Sequence, residues 1–232
     1  MDAILAKSRF TMFPPPPSDL VAEANHRIAN SLTLLVSMVR MQAASVRRNP
    51  GPLSAADVRL MLEGIAARIN TISQLHRLLS QVSSDGVTNL KPHLHDVTAA
   101  LVAALSSEDQ LVRVEHSGND CMVQMRQVQP IILILCEIFI NAMKYAHPSG
   151  VPLVMAVDCR SASDGRLVLT VSDDGVGLPE GFDLLASGGL GFKVMRSLAA
   201  EIGAELQIET SNLGLSFRVS LPSCSMAGSR LS

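Results

Sequence analysis

The sequence predicts an α+β protein: a helical hairpin that becomes a four-helix bundle on dimerisation, followed by an α/β sandwich with helices on one face. Three observations predict it. Apolar residues recur at 4-3 spacing on both sides of the turn Asn49-Pro50-Gly51-Pro52, the period of two amphipathic helices. Beyond Ser83-Ser84-Asp85-Gly86 the texture changes to helical segments mixed with short β-branched runs. The last strands follow one another through short turns, which suits a sandwich of this kind better than a doubly wound parallel sheet.

Composition bounds the reading. Of 232 residues, 47% are hydrophobic and 17% charged, enough to bury a real core and too apolar for wholesale disorder. The net charge of -2 gives no bulk signal for nucleic acid or an anionic membrane, and the lack of tryptophan with a single tyrosine argues against base-stacking platforms. Cys121, Cys136, Cys159 and Cys224 form no C-x-x-C pair, so they suggest neither a disulfide framework nor a zinc cage. The longest apolar stretch, 131–140, is about half a membrane span and carries Glu137. The start MDAILAKSRF lacks a signal-peptide core. A cytoplasmic protein with no nucleic-acid or membrane partner is expected.

Taken in order, residues 1–17 are a leader ending in the run Pro14 to Pro17, too short for a sensory domain. The hairpin is expected over 18–86. Its first helix, about 20–47, has no proline or glycine and carries Ile28, Leu32, Leu35 and Val39 on one seam. Ser54 with Asp57 three positions on resembles a capping box and opens the second helix. There Val58, Leu62, Ile65, Ile69, Ile72, His76 and Leu79 keep the 4-3 alternation. A lone hairpin cannot cover both seams, so a second copy is expected to complete the bundle. The sandwich is expected over 87–224, with helices near 92–105, 127–146 and 190–202 and strands near 112–115, 153–158, 167–171, 206–209 and 217–221. Residues 225–232 are a tail.

Four constellations could carry chemistry. On the first helix Glu23, His26, Asn30, Thr33 and Ser37 share the stripe opposite the apolar seam, so His26 is predicted to face water, with Arg27 alongside. An exposed imidazole can act as a nucleophile near neutral pH, and Glu23 or Asn30 could orient it or a water. Glu137, Asn141 and Lys144 follow at i, i+4 and i+7; a carboxylate, an amide oxygen and an ammonium suit a magnesium-bound polyphosphate. Asp173-Asp174-Gly175-Val176-Gly177 ends a predicted strand, where a carboxylate can accept from an amino group and glycines admit close backbone approach. Asp-Gly also makes ordinary turns. Gly188-Gly189-Leu190-Gly191 opens a helix, where backbone N–H groups and the dipole favour phosphate; an ordinary glycine-rich loop has the same composition. His93-Leu94-His95 lacks the helical i, i+4 metal spacing and reads as structural.

The order of these motifs carries more than any one. E-x-x-H-R-x-x-N in a hairpin, then E-x-x-x-N-x-x-K-Y-A-H-P, then D-x-G-x-G, then G-x-G opening a helix, resembles the transmitter region of bacterial sensor histidine kinases over about 18–222. The likeness is to the second HisKA subtype, neighbour of the HWE kinases. It implies that His26 is the phosphoacceptor, that Glu137 and Asn141 belong to the N box, that Asp173, Gly175 and Gly177 form the first glycine box, and that Gly189 and Gly191 form the second. Glu23, Arg27, Asn30 and Glu137 would support catalysis at His26. Asn141, Lys144, Asp173 and the glycines would hold ATP, with magnesium reached through Asn141 and the nucleotide.

The resemblance also implies a GHKL-type ATP-binding fold and a response-regulator receiver as partner, with a homodimer and a separate sensor protein as further partners. The W-x-E element of HWE kinases is absent, Arg27 stands where many kinases have an acid, and Gly214-Leu215-Ser216-Phe217 replaces the common G-T-x-F. Two other functions fit the same residues: a phosphotransferase that relays between receivers without ATP, and a docking scaffold with no phosphoryl chemistry.

Overall fold

The computed structural model describes residues 51–79, 86–106, 111–147, 151–162, 165–182 and 190–222, together with 29, 32, 33, 35–37, 39, 40, 43, 44, 46 and 47. Those isolated positions between 29 and 47 are all helical, as the seam of the first hairpin helix predicts. Among them Leu35 packs against the core, whereas Leu32 is 56% exposed and Val39 is exposed.

The second hairpin helix is α1, Ala55–Leu79. Its start is the reciprocal box that the sequence suggests. Ser54 N and Oγ donate to Asp57 Oδ2 at 3.0 and 2.7 Å, and Asp57 N donates to Ser54 Oγ at 3.1 Å. Donors that the first turn would leave without partners are thereby satisfied. The expected single seam is split by the structure: Ile72 is buried, while Leu62 is 58% and Ile69 44% exposed. The buried side is instead Gly64, Ala67, Arg68 and Ile72, because α1 packs on the following domain through its small residues. His76 and Leu79 side chains lie outside the described residues.

Next come β1 (Val87–Asn89), α2 (Leu90–Leu105), β2 (Val112–Gly118), β3 (Met122–Gln124), α3 (Met125–Tyr145), β4 (Leu153–Ser161), β5 (Leu167–Asp173), α4 (Leu190–Glu201), β6 (Glu205–Ser211) and β7 (Gly214–Leu221). Asn89 caps α2 by accepting from Lys91 N at 3.1 Å, and it also accepts from Cys121 N at 3.2 Å. The main sheet has the order β2-β4-β5-β7-β6. β2 and β4 are parallel, and the remaining pairs are antiparallel. β1 and β3 form a separate antiparallel pair.

One sheet face is buried, through Leu153, Met155, Val157, Leu169, Val171, Phe217 and Val219, as alternation on a half-covered sheet requires. α3 packs on both α2 and α4, and α2, α3 and α4 pack on β2, β5 and β6 respectively. α3 is buried almost all round, the mark of a helix at the centre of a core. It is also the one helix among the described residues long and apolar enough to cross a membrane, and 78% of its most apolar window is buried inside the fold. The thiols of Cys121, Cys136 and Cys159 are buried in the same core and form no disulfide.

Candidate active site

The expected nucleotide residues converge where α3, the end of β5 and the start of α4 meet. Asp173 closes β5, so its side chain follows Leu169 and Val171 onto the buried face. Its Oδ1 accepts from Gly175 N at 3.0 Å and Leu215 N at 3.2 Å. Burial raises its pKa above the ordinary carboxylate value, and those two backbone donors oppose the rise. With Oδ1 so engaged, Oδ2 remains an acceptor for an amino group.

The loop after Asp173 is backed by the end of α3. Val176 N donates to Ala146 O at 2.9 Å, and a Cβ on Gly175 would sit 2.6 Å from Ala146 Cα. Gly177 has φ +72°, and its Cβ would meet Ser211 O at 2.1 Å. Any side chain there would push the loop off its seat. Asp174 turns outward: its Oδ1 accepts from Val154 N at 3.0 Å and pairs with His147 Nε2 at 2.8 Å, pinning the loop to β4 and to the residue that follows Ala146.

Gly191, in the first turn of α4, brings that helix against the N-box residues. A Cβ at Gly191 would lie 3.0 Å from Asn141 Nδ2 and 3.2 Å from Glu137 Oε2. The Asn141 amide Nδ2 is buried and has no hydrogen-bond partner among the described residues. Leaving a buried amide unpaired is costly, so an unfilled polar requirement faces the start of α4. A phosphate group fits there: the unpaired amide N–H can donate to a phosphate oxygen, the oxygen of the same amide would face a hard cation carried with it, and helix N–H groups can meet phosphate. No cluster of three or more His, Cys, Asp or Glu side chains able to hold a metal ion occurs among the described residues.

The stripe Glu137, Asn141, Lys144 does not act as one unit here. Glu137 is 2% exposed and is gripped from α1, with Arg68 Nε donating to Oε1 at 2.5 Å and Nη2 donating to Oε2 at 2.8 Å. The pKa of Lys144 is lowered, first by burial and then by the Arg68 charge, against the opposing pull of Glu137 and Asp57. Two of the three residues therefore turn toward the hairpin. Sequence reasoning missed Arg68, although Gly64, Ala67 and Arg68 share a helical stripe of small residues and one charge, the pattern of a close helix contact. It also missed the His147 to Asp174 clamp, which joins two adjoining motifs.

Glu23, His26, Arg27, Asn30 and Gly189 lie outside the described residues. Thr33 and Ser37, the described members of the His26 stripe, are exposed and donate to Ala29 O and Thr33 O at 2.8 Å. His95 stacks on His116 with ring centroids 3.8 Å apart, and His93 Nε2 lies 3.4 Å from Thr88 Oγ1, both structural placements.

Known proteins resemble this chain in sequence and fold. The HisKA_2 family, described as "Histidine kinase", matches residues 23–105, and the HATPase_c family, described as "Histidine kinase-, DNA gyrase B-, and HSP90-like ATPase", matches 126–224. Blue-light-activated histidine kinase 2 of Erythrobacter litoralis is 24% identical over 204 residues, 87% of this chain and 56% of that protein. Sensor histidine kinase PdtaS of Mycobacterium tuberculosis is 29% identical over 188 residues, 80% of this chain and 36% of that protein. The chain thus spans about half of one relative and about a third of the other. The solved histidine kinase domain of the Erythrobacter litoralis EL346 protein shares the fold, with a TM-score of 0.65 at 23% identity, over 88% of this chain and 95% of that one.

Proposed function

The chain is a histidine kinase transmitter region, a HisKA_2 segment followed by an ATPase domain of the histidine kinase type, and from that premise we propose that it phosphorylates His26 from ATP and passes the phosphoryl group to an aspartate of a response-regulator receiver. The observation that carries the ATP-dependent form is that one helix, α3, backs the Gly175–Gly177 loop beside Asp173 at its end and sets the unpaired Asn141 amide against Gly191. A relay that ignored nucleotide would have no need of it.

In this reading Asp173 accepts from the adenine amino group, and the loop through Gly177 lies under the base. Asn141 and the start of α4 hold the phosphates; magnesium, when bound, neutralises their charge. A ring nitrogen of neutral His26 attacks the γ-phosphorus. The new bond is N–P, the bond to the β,γ-bridging oxygen breaks, and ADP leaves. The proton on the other ring nitrogen passes to a carboxylate, which we assign to Glu137, while Glu23 orients the imidazole. Arg27 and Asn30 flank the site of transfer. The partner aspartate then takes the phosphoryl group by the reverse chemistry at nitrogen. We place this in the cytoplasm, as a homodimer.

Titration with a fluorescent ATP analogue tests the nucleotide half. Wild type should bind it, more tightly with magnesium. Asp173→Asn should weaken binding by roughly tenfold or more, since an acceptor-only group becomes a mixed donor and acceptor. Absence of binding to wild type would favour the relay.

A further inference from the structure

The Glu137 carboxylate assigned above as proton acceptor is held by Arg68 in the most deeply buried ion pair among the described residues. It joins the second hairpin helix to the N-box helix across 69 positions of sequence. Both carboxylate oxygens are occupied, one by Nε and the other by Nη2. A carboxylate so forked and shut from water is turned toward the hairpin guanidinium and away from any incoming imidazole.

The surroundings repeat the contact. A Cβ on Gly64 would lie 3.4 Å from Arg68 Nη1 and 3.6 Å from Ile140 Cγ2, so the absence of a side chain there lets α1 lie close to α3. Asp57 and Lys144 feel each other's charge farther along the same two helices. Gly64 and Arg68 thus meet Ile140 and Glu137 in reverse order, so α1 runs antiparallel to α3.

Resting on the kinase reading, we propose that Arg68 is a positioning residue that gates it: with the fork closed, the hairpin is docked and Glu137 is withheld, and transfer to His26 requires the fork to open. The pair suits such a gate because its two charges can be satisfied in two ways. Closed, each charge satisfies the other; open, each regains water. A half-open state with Glu137 buried and unpaired is strongly disfavoured, so the contact switches and does not slide. The same carboxylate lies 3.2 Å from the Gly191 Cβ position, so nucleotide arriving at the start of α4 meets the closed fork directly.

Arg68→Gln and Arg68→Lys test this beside a tether, Gly64→Cys with Ile140→Cys, whose side chains are close enough to bridge. Each protein is assayed for fluorescent ATP-analogue affinity, which reports an intact nucleotide domain, and for the initial rate of acid-labile labelling from ATP. Arg68→Gln should label on the order of tenfold faster than wild type at unchanged analogue affinity, because loss of the fork drives the carboxylate toward water. Arg68→Lys, which keeps the charge but not the fork, should fall between. The oxidised tether should bind the analogue and fail to label, and reduction should restore labelling. Arg68→Gln labelling no faster than wild type at unchanged affinity, or an oxidised tether that labels at the wild-type rate, would overturn the gate while leaving the kinase standing. No label on any protein, oxidised or reduced, would overturn the kinase reading and the gate with it.

Discussion

At the scale of single residues, the described part of the molecule is sensitive to protons at its histidines. His116 Nε2 lies 2.9 Å from Thr98 Oγ1, and that hydroxyl already donates to Leu94 O and His95 O. Its single proton is thus committed, and His116 donates through Nε2. Burial lowers the pKa of His116 first, and the charges of His95 and Lys91 lower it further. His93 is lowered by burial as well, against the pull of Asp96. A histidine whose folded pKa is depressed favours the neutral ring. Its stability is fully present above the unfolded value of about 6.5 and is lost as pH falls through that value toward the folded one. The melting temperature should therefore drop between pH 7.5 and pH 5, and His93→Gln with His116→Gln should flatten the drop. An unchanged slope in the double variant would place the sensitivity elsewhere.

At the scale of elements, Ser54→Ala removes the one hydroxyl that both accepts from Asp57 N and donates to its carboxylate, and should cost about 0.5–2 kcal/mol in thermal or urea unfolding. A variant as stable as wild type would mean the first turn of α1 frays without consequence. This cap was legible in the sequence, as were the helices 92–105, 127–146 and 190–202 and the strands 153–158 and 167–171, each found within a few residues of its expected bounds. Long periodic runs determine their own period. β1 and β3 were not legible, since three residues each carry no period to read. The seam of α1 was legible as a helix but not in its direction. Isoleucine and leucine at 4-3 spacing drew attention to Leu62 and Ile69, whereas the close contact was made by Gly64, Ala67 and Arg68. In the site, Asp173 and its glycines could be read because each needs a particular residue type. Arg68 could not, because its partner lies 69 positions away and a lone arginine on a helix is most often a solvated one.

At the scale of the whole molecule, α1 divides its two faces between two tasks. One meets the nucleotide domain through Arg68 and Ile72, and the other leaves Val58, Leu62 and Ile69 exposed, as Leu32 and Val36 of the first helix also are. Apolar seams of that size need cover, and the proposed homodimer would supply it from a second copy. Leu62→Glu should convert a dimer to a monomer in sedimentation at micromolar concentration without loss of ATP-analogue binding; a monomeric wild type would contradict the bundle. The central claim is narrower: the molecule uses ATP to phosphorylate His26. The most direct measurement is labelling with ATP carrying a radioactive γ-phosphate, followed by acid and alkali treatment and comparison with His26→Gln. The account predicts an acid-labile, alkali-stable label on wild type and none on His26→Gln, with ATP-analogue binding unchanged. Label that persists in His26→Gln, or that resists acid, would contradict it.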